Sequence, residues 1–319
     1  MRKIVDFNSA FAGPMNQFVS FKRMQGYDYT DQARKLSYFD RFLVAEAGTP
    51  QGPDLTLNTL RRYVDTTQHL EAFSRSTRLA AVREFSRYLH ARRPDSAVLP
   101  KDILPRHKRT VRFFPMTARQ VADLMAAVPA ILPPDDILTW SLSVLIGLLY
   151  STGLRIGEAL NLTLGDIDRQ QSTLHVIRGK FGKERLVPVS VSTLNAVTGY
   201  LTVRKPHAGN SLSSPLFIAA YDTALNHDQA YYYFRRLCRH CGIWGDPPPR
   251  PHDLRHNYAC ARLALWREQG MDLNAMLPVL ATAMGHVNIF TTQRYLHVDA
   301  VGMLDALDKF DTYITTHSE

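Results

Sequence analysis

Six residues between positions 155 and 295 have the chemical types needed to break a phosphodiester bond without a metal ion. Two arginines can clamp a phosphate through paired hydrogen bonds, a lysine and two histidines can move protons, and a tyrosine can form a covalent bond to phosphorus. In chain order they are Arg155, Lys180, His252, Arg255, His286 and Tyr295. Their types and order predict attack by the Tyr295 phenol on a phosphodiester.

Arg155 follows a glycine turn and begins a short predicted helix in Thr152-Gly-Leu-Arg-Ile-Gly-Glu-Ala-Leu160. The N-terminus of a helix favours anions, because its unpaired N–H groups and the helix dipole are directed toward them. Glu158 lies three residues later, a spacing at which its carboxylate can orient the Arg155 guanidinium. Taken alone, an Arg–Glu pair at this spacing is more often a surface salt bridge.

Lys180 lies between two apolar stretches, 172–178 and 185–189, that are separated by glycines and charged residues. This pattern predicts a β-hairpin with Lys180 in or near its turn. A lysine suits general-acid chemistry because its pKa falls when it is desolvated. Lys183 is the competing candidate, and a lysine in a hairpin turn is normally only exposed to solvent.

His252 and Arg255 open a predicted helix after the prolines at 247–249. Because they are three residues apart, both side chains project from one face of that helix. A lone His-x-x-Arg is more often part of a helix N-terminus than a catalytic pair. The neighbouring His256 is expected to point elsewhere and to take no part in the chemistry.

These separated motifs together resemble the catalytic set of the tyrosine recombinases, the phage integrase family, in which Arg, Lys, His-x-x-Arg, His and Tyr occur in this chain order. The strings that carry the resemblance are Thr152–Leu160, Gly179-Lys180, Pro251-His-Asp-Leu-Arg-His-Asn-Tyr-Ala259 and Gly285–Tyr295. The resemblance extends over most of residues 117–298. The stretch between Arg255 and His286 is longer than in the Xer-type members of the family.

The resemblance implies a role for each residue. The two arginines and His286 bind the phosphate, His252 exchanges the phenolic proton, and Lys180 protonates the departing 5′-oxygen. Tyr295 becomes joined to the 3′-phosphate, and a 5′-hydroxyl from a partner duplex then attacks, so that strands are exchanged through a Holliday junction. Because the phosphotyrosine conserves the bond energy, the resemblance implies that neither ATP, nor a metal ion, nor another cofactor is needed.

The net positive charge of the chain comes entirely from its first third. Residues 1–115 carry 20 Lys and Arg against 11 Asp and Glu, whereas residues 116–319 carry 18 of each kind, and the net charge is +9. This asymmetry predicts a polyanion-binding module joined to a more neutral one. A solvated basic face explains the charge equally well, and charge alone does not separate DNA, RNA and an anionic membrane as partners.

The predicted DNA contacts come from a helix at 71–91 and from a basic, proline-rich run at 94–115. In the helix an apolar stripe alternates with arginines, so that one face can pack on a core while the other meets a sugar–phosphate backbone. The residues predicted to bind DNA are Arg75, Arg78, Arg83, Arg87, Arg106, Lys108, Arg109 and Arg112. An amphipathic surface helix that does not touch DNA is the alternative for the helical part.

Apolar periodicity predicts a mainly α-helical fold with a small antiparallel β-sheet. Thr117 is the predicted N-cap of one helix. The predicted helices are 29–45, 57–64, 71–91, 118–128, 136–151, 155–162, 191–203, 227–241, 253–269, 273–284 and 289–295. The resemblance implies a two-domain clamp, in which a helical DNA core-binding domain is joined to a mixed α+β catalytic domain. The predicted boundaries are 1–93 for the first domain, 94–115 for the linker, 116–298 for the catalytic domain and 299–319 for a C-terminal tail helix. The amphipathic tail either packs on its own domain or, as the resemblance implies, docks into a neighbouring subunit of a homotetramer on DNA.

Other functions remain open at the level of the sequence. A type IB topoisomerase-like nicking-closing enzyme shares the tyrosine chemistry, and a DNA-binding protein without catalytic activity shares the partner; a membrane-surface role for the basic third is more distant. No apolar run has transmembrane length, no signal core follows the N-terminus, and the three cysteines fit a reducing cytoplasm. We therefore expect a cytoplasmic enzyme of a mobile element that acts on double-stranded DNA with paired recombination sites, with other recombinases or accessory proteins as further partners.

Overall fold

The computed structural model describes residues 5–46, 54–103, 113–177, 184–219 and 223–286, together with Thr292. The chain divides into two compact units, Met1–Val111 and Arg112–Glu319. The predicted fold class is confirmed, because both units are mainly helical and the second also contains small antiparallel sheets. Within the described ranges, each helix is too short or too polar to cross a membrane.

The described part of the first unit is built from helices. They are α1 (Ala12–Met24), α2 (Thr30–Ala45), α3 (Leu57–Thr66) and α4 (Ala72–His90). Apolar spacing predicted α2, α3 and α4 to within about two residues at each end, but it did not predict α1. That helix begins with glycine and proline in its first turn and has no side-chain cap, so its local signals are weak.

The polypeptide after α4 packs on the first unit before the chain leaves it. Leu99 is fully buried, and its N–H donates to the Ser86 hydroxyl at 3.1 Å. The N–H of Ala97 donates to the Leu55 carbonyl at 2.6 Å. Residues 94–103, assigned to the linker by the sequence, therefore include part of this unit's core. Residues 104–112 lie outside the described residues, and the four domain boundaries stay predictions.

The second unit combines helices with two small sheets. Its helices are α5 (Ala118–Ala126), α6 (Val128–Ile131), α7 (Ile137–Thr152), α8 (Ile156–Leu160), α9 (Val191–Arg204), α10 (His227–His240), α11 (Pro251–Glu268) and α12 (Leu273–Met284). Its strands are β1 (Ile167–Asp168), β2 (Thr173–Val176) and β3 (Arg185–Pro188), which form one antiparallel sheet, and β4 (Ile218–Ala219) and β5 (Thr223–Ala224), which form another. The predicted hairpin is β2 and β3; the two-residue strands β1, β4 and β5 are too short to show alternation and were not predicted.

Helix α7 is the centre of the second unit. It is buried along most of its length and packs against α5, α9 and α11. The hydroxyl of Ser141, inside this packing, lies 2.7 Å from the Tyr200 hydroxyl and donates to the Ile218 carbonyl at 2.7 Å. A buried hydroxyl is tolerated when it is hydrogen-bonded, so this contact joins α7, α9 and β4 without a desolvation penalty.

The segment that enters the second unit is fastened to α11 by one side chain. The Asn257 amide oxygen accepts from the Met116 N–H at 2.9 Å, and its amide nitrogen donates to the Phe114 carbonyl at 3.1 Å. Asn257 is 6% exposed, and it bonds the incoming chain as a neighbouring strand would. Thr117 then caps α5 in a capping box with Gln120, as the sequence predicted for that N-cap.

Candidate active site

The turn from α7 into α8 places Arg155. Helix α7 ends at Thr152, and Gly153 takes a left-handed backbone conformation with φ +64°. A Cβ on Gly153 would overlap the Tyr258 ring, with Cε1 at 2.9 Å. Glycine is therefore required both for the conformation and for the close approach of α11. Arg155 occupies the N-cap of α8, one position before the helical position that the sequence suggested.

The carboxylate of Glu158 binds both the side chain and the backbone of Arg155. The Arg155 Nη1 donates to Glu158 Oε1 at 2.6 Å, and the Arg155 N–H donates to Oε2 at 3.0 Å. Glu158 is 6% exposed, so this contact is a buried ion pair and not a surface bridge. Burial opposes ionisation of the carboxyl, but hydrogen bonds from Arg185 and from the Arg155 backbone outweigh it and lower the pKa of Glu158 to about 2.

Arg255 joins three elements of the second unit. It lies in the first turns of α11 and is 2% exposed. Its Nη1 donates to the Gly153 carbonyl at 2.6 Å, and its Nη2 donates to the Met284 carbonyl at 2.6 Å. One guanidinium therefore holds the α7–α8 turn and the end of α12 against α11.

The end of α12 is bound by three arginines from different elements. Each of its last carbonyls accepts a hydrogen bond from one guanidinium, in the pairs Ala283 with Arg185 (3.0 Å), Met284 with Arg255 (2.6 Å) and Gly285 with Arg155 (3.0 Å). The last carbonyls of a helix lack intrahelical partners and carry the negative end of its dipole, so cations stabilise them. This convergence brings the two predicted arginines together although they are far apart in the sequence.

Sequence reasoning missed Arg185. It begins β3, opposite Val176 of β2, and its guanidinium binds both oxygens of Glu158, with Nη2–Oε2 at 2.8 Å and Nη1–Oε1 at 3.2 Å. The signal available was an arginine in the strand pair next to the predicted turn, which carries a predicted catalytic residue. That position alone does not show which carboxylate the arginine meets.

His286 directly follows the left-handed Gly285 that ends α12. Its backbone N–H donates to the Ala281 carbonyl at 2.8 Å, and its Nδ1 lies 2.8 Å from the Thr292 hydroxyl. Thr292 is fully buried, so the contact fixes the orientation of the imidazole and directs Nε2 away from it. Sequence reasoning did not identify Thr292, because threonine in that segment carries no distinctive signal.

His252 lies one turn before Arg255 and is not isolated on its helix. Its ring meets the His256 ring edge to face, with centroids 4.8 Å apart, and His256 packs in turn on Phe113 at 5.3 Å. His256, expected to point elsewhere, therefore contacts the predicted proton acceptor. Its bulk limits the orientations that the His252 ring can take.

The histidines of the site are uncharged at neutral pH. Partial desolvation, followed by the positive charges of Arg255 and Arg250, lowers the pKa of His252 to about 4, although the residue is exposed to solvent. Desolvation first, and then neighbouring charges, lower the pKa of His256 and of His286 to about 3. A neutral imidazole can accept a proton, which a charged one cannot.

The structure brings together four of the six predicted catalytic residues, namely Arg155, His252, Arg255 and His286. Lys180 and Tyr295 lie outside the described residues, as does the tail at 299–319. Their roles stay predictions.

The predicted DNA-binding arginines of α4 differ in their surroundings. Arg75 donates to a threonine hydroxyl at 3.3 Å, and the Arg78 guanidinium lies 4.0 Å from the centre of the Tyr38 ring. The Nε of Arg83 is buried and has no hydrogen-bond partner among the described residues, whereas Arg87 is exposed. These arginines therefore do not form one uniformly exposed row. The basic run with Arg106, Lys108, Arg109 and Arg112 lies outside the described residues, and DNA binding by both groups stays a prediction.

One other arrangement, a pair of cysteines, could suggest a metal or redox site. Cys238 and Cys241 have the C-x-x-C spacing, but Cys238 packs in the core of the second unit, and burial raises the pKa of its thiol to about 12. In the described part of the chain, no three His, Cys, Asp or Glu side chains are grouped to hold a metal ion.

Comparison with known proteins supports the identity that these residues indicate. The phage integrase family model matches residues 115–301. A putative integrase/recombinase of Sinorhizobium fredii, y4rB, is 30% identical over 95% of this chain and 98% of its own length. Tyrosine recombinase XerC of Pelobacter propionicus is 30% identical over 86% of both chains.

Solved structures show the same fold. The XerH recombinase in a pre-cleavage complex with its difH substrate matches 94% of this chain and 84% of its own, with a TM-score of 0.62 and 18% identity. The Tn1549 transposon integrase in complex with transposon right-end DNA matches 92% of this chain and 99% of its own, with a TM-score of 0.63 and 17% identity. With a family model and relatives that cover most of its length, this chain belongs to the phage integrase family, the tyrosine recombinases.

Proposed function

We propose that this chain is a site-specific recombinase that cleaves and rejoins DNA through a covalent bond between Tyr295 and a 3′-phosphate. The observation that carries the proposal is the meeting of Arg155, Arg255 and His286 at the end of α12, one helical turn from His252. Family membership supplies the substrate class. Structures similar to this chain include recombinases bound to DNA, which supports DNA as its partner.

The two arginines stabilise the transition state of phosphoryl transfer. As the phenolic oxygen approaches phosphorus, negative charge increases on the non-bridging oxygens, and donors already held in place stabilise that charge without reorganisation. Arg155, with 26% of its side chain exposed, offers the more accessible guanidinium. Arg255 is almost fully buried and fixes the geometry from within the fold.

Proton transfers occur on both sides of the phosphate. An unperturbed phenol has a pKa of about 10 and is a weak nucleophile at neutral pH. Because the pKa of His252 is lowered to about 4, its imidazole is neutral and can accept the phenolic proton. The arriving phosphate adds negative charge, which favours the protonated imidazole. With Nδ1 of His286 occupied by Thr292, Nε2 is the nitrogen that meets the phosphate.

Bond making and bond breaking balance in each half of the reaction. The P–O bond to Tyr295 forms while the P–O5′ bond breaks, and Lys180 gives a proton to the departing 5′-oxygen. A 5′-hydroxyl from the second duplex then reverses these steps, so neither ATP nor a metal ion is required. Two recombination sites on DNA are brought together by a homotetramer linked through the tail at 299–319. Other recombinases or accessory proteins are further partners.

A nicked suicide DNA substrate tests this proposal. The wild-type protein should form a covalent protein–DNA adduct in EDTA and without nucleotide. Tyr295→Phe should form none, whereas Tyr150→Phe, a change in α7 outside the site, should retain it. Adduct formation by the Tyr295→Phe variant would contradict the assignment of the nucleophile.

A second assay separates recombination from its alternatives. A plasmid with two sites should be recombined by the wild-type protein, whereas a nicking-closing enzyme would relax supercoils without exchanging partners, and a silent DNA-binding protein would do neither. Recombinases as relatives, and a residue of the right type at every catalytic position, favour strand exchange.

A further inference from the structure

We propose that Arg185 is a positioning residue of the active site: it neutralises Glu158 and holds the end of α12, so that Arg155 presents an uncompensated positive charge to the scissile phosphate. This inference rests on the proposed function and deepens it. It assigns a role to a third arginine of the site that the catalytic motifs do not contain.

The side chain of Arg185 is committed to contacts within the protein. Its two terminal nitrogens form a fork with the carboxylate of Glu158, and its Nε donates to the Ala283 carbonyl at 3.0 Å. Only 11% of the side chain is exposed. Each of its three nitrogens therefore donates to a protein acceptor, and Arg185 acts through its neighbours and not by binding DNA.

The charges around Glu158 explain why a second arginine is needed. The carboxylate lies 2.6 Å from Arg155 and 2.8 Å from Arg185, so both cations share one buried anion. Arg155 and Glu158 alone form a neutral pair, which would attract a phosphate weakly. With Arg185 the three side chains carry one net positive charge, and Arg155 is the most exposed of the three.

Arg185 also affects the site through its contact with the end of α12. By binding the Ala283 carbonyl, it fixes the turn that presents the Gly285 carbonyl to Arg155 and leads into His286. A Cβ on Gly285 would lie 2.7 Å from the Arg185 Nη1. The absence of a side chain at residue 285 therefore makes the room that Arg185 occupies. Arg185 is connected to Arg155 through Glu158 and to the backbone before His286 through Ala283.

The test compares single-turnover cleavage of the suicide substrate by full-length variants. Arg185→Met should slow cleavage about 10- to 100-fold, the loss typical when a residue that orients a reactive group is removed, while DNA affinity changes much less. Arg185→Lys retains the charge but not the fork, so it should recover part of the rate. Arg204→Met is the matched control, because Arg204 is 1% exposed and also donates to backbone carbonyls, but remote from the site.

Two comparisons separate a charge effect from a loss of structure. In the double variant Glu158→Gln/Arg185→Met the carboxylate that neutralises Arg155 is gone, so cleavage should be faster than with Arg185→Met alone. On a substrate with a methylphosphonate at the scissile position, which lacks one negative charge, the penalty of Arg185→Met should shrink. Arg204→Met should lower the melting temperature but not the cleavage rate below that temperature.

The opposite results refute either the role of Arg185 or the proposed function. Cleavage by Arg185→Met at the wild-type rate refutes the role of Arg185, and so does a double variant no faster than the single one or an undiminished penalty on methylphosphonate. If Arg185→Met does not fold, Arg185→Gln, which also removes the charge, gives the same decision on the two substrates. Absence of an adduct with the wild-type protein would instead overturn the proposed function, and the role of Arg185 with it.

Discussion

Replacing Gly153 with alanine should both destabilise the second unit and disturb the geometry of the site. Gly153 has φ +64°, and its missing Cβ leaves room for the Tyr258 ring. A left-handed conformation costs a residue with a Cβ about 1–2 kcal/mol, and forcing extra atoms into packed surroundings costs about 1–3 kcal/mol. We therefore expect a loss of about 2–5 kcal/mol, the sum of those two effects. Because the Gly153 carbonyl binds Arg255, cleavage should also slow.

Thermal and urea unfolding of the full chain measure the stability effect. For a unit of roughly 200 residues, each kcal/mol shifts the melting temperature by about 2–4 °C, so the expected shift is about 4–20 °C. Gly157→Ala is the matched control, since its added Cβ meets no atom within 4 Å and lies in α8. That change should be neutral or should stabilise by up to about 1 kcal/mol.

A double-mutant cycle with Tyr258→Ala tests the reasoning further. The smaller side chain should remove the overlap but not the backbone strain, so the cost of Gly153→Ala should fall but not vanish in that background. The reasoning fails if Gly153→Ala unfolds at the same temperature as Gly157→Ala, or if the Tyr258 variant leaves the cost unchanged.

Three further predictions concern other contacts. The pKa of His256 is about 3 in the folded chain and ordinarily 6.5, so its contribution to the free energy of unfolding is complete above about pH 6.5 and is lost as pH falls toward 3. In urea, the free energy of unfolding should therefore change less between pH 7 and pH 5 for His256→Phe than for the wild-type protein. Thr292→Val, which removes the hydroxyl beside His286, should slow cleavage about 2- to 10-fold, whereas Thr292→Ser should not. Asn257→Leu, which leaves the Met116 N–H without its acceptor, should lower the free energy of unfolding by about 1–3 kcal/mol; an unchanged urea midpoint would contradict this.

The sequence predicted those parts of the fold that depend on local signals. The apolar spacing of α2, α4, α9 and α12 and the cap at Thr117 are properties of short segments, and they were located within a few residues. The motif order also identified four residues that the structure brings together. The Arg155–Glu158 contact was predictable because i,i+3 neighbours on a helix end meet whatever the tertiary fold.

Contacts that depend on tertiary packing were not predictable. Arg185 and Ala283 are 98 residues apart, and no local pattern states that a hairpin strand meets the end of a distant helix. The same limit applies to Arg78, whose charge suggested exposure but whose guanidinium covers the Tyr38 ring, because an arginine stem and its planar head can also pack on apolar surface. The contact between His252 and His256 is different, because i,i+4 neighbours lie on the same face of a helix and this contact could have been predicted.

The two hydrogen bonds between the Asn257 amide and the incoming chain have a consequence for the site. The polypeptide arriving from the first unit is tied at Phe114 and Met116 to Asn257, only two residues beyond Arg255. The segment with Phe114 and Met116 is thus hydrogen-bonded directly to the helix that carries the buried guanidinium. Because Asn257 and Arg255 share one helix, a change that displaces Phe114 or Met116 should also shift the buried guanidinium of Arg255.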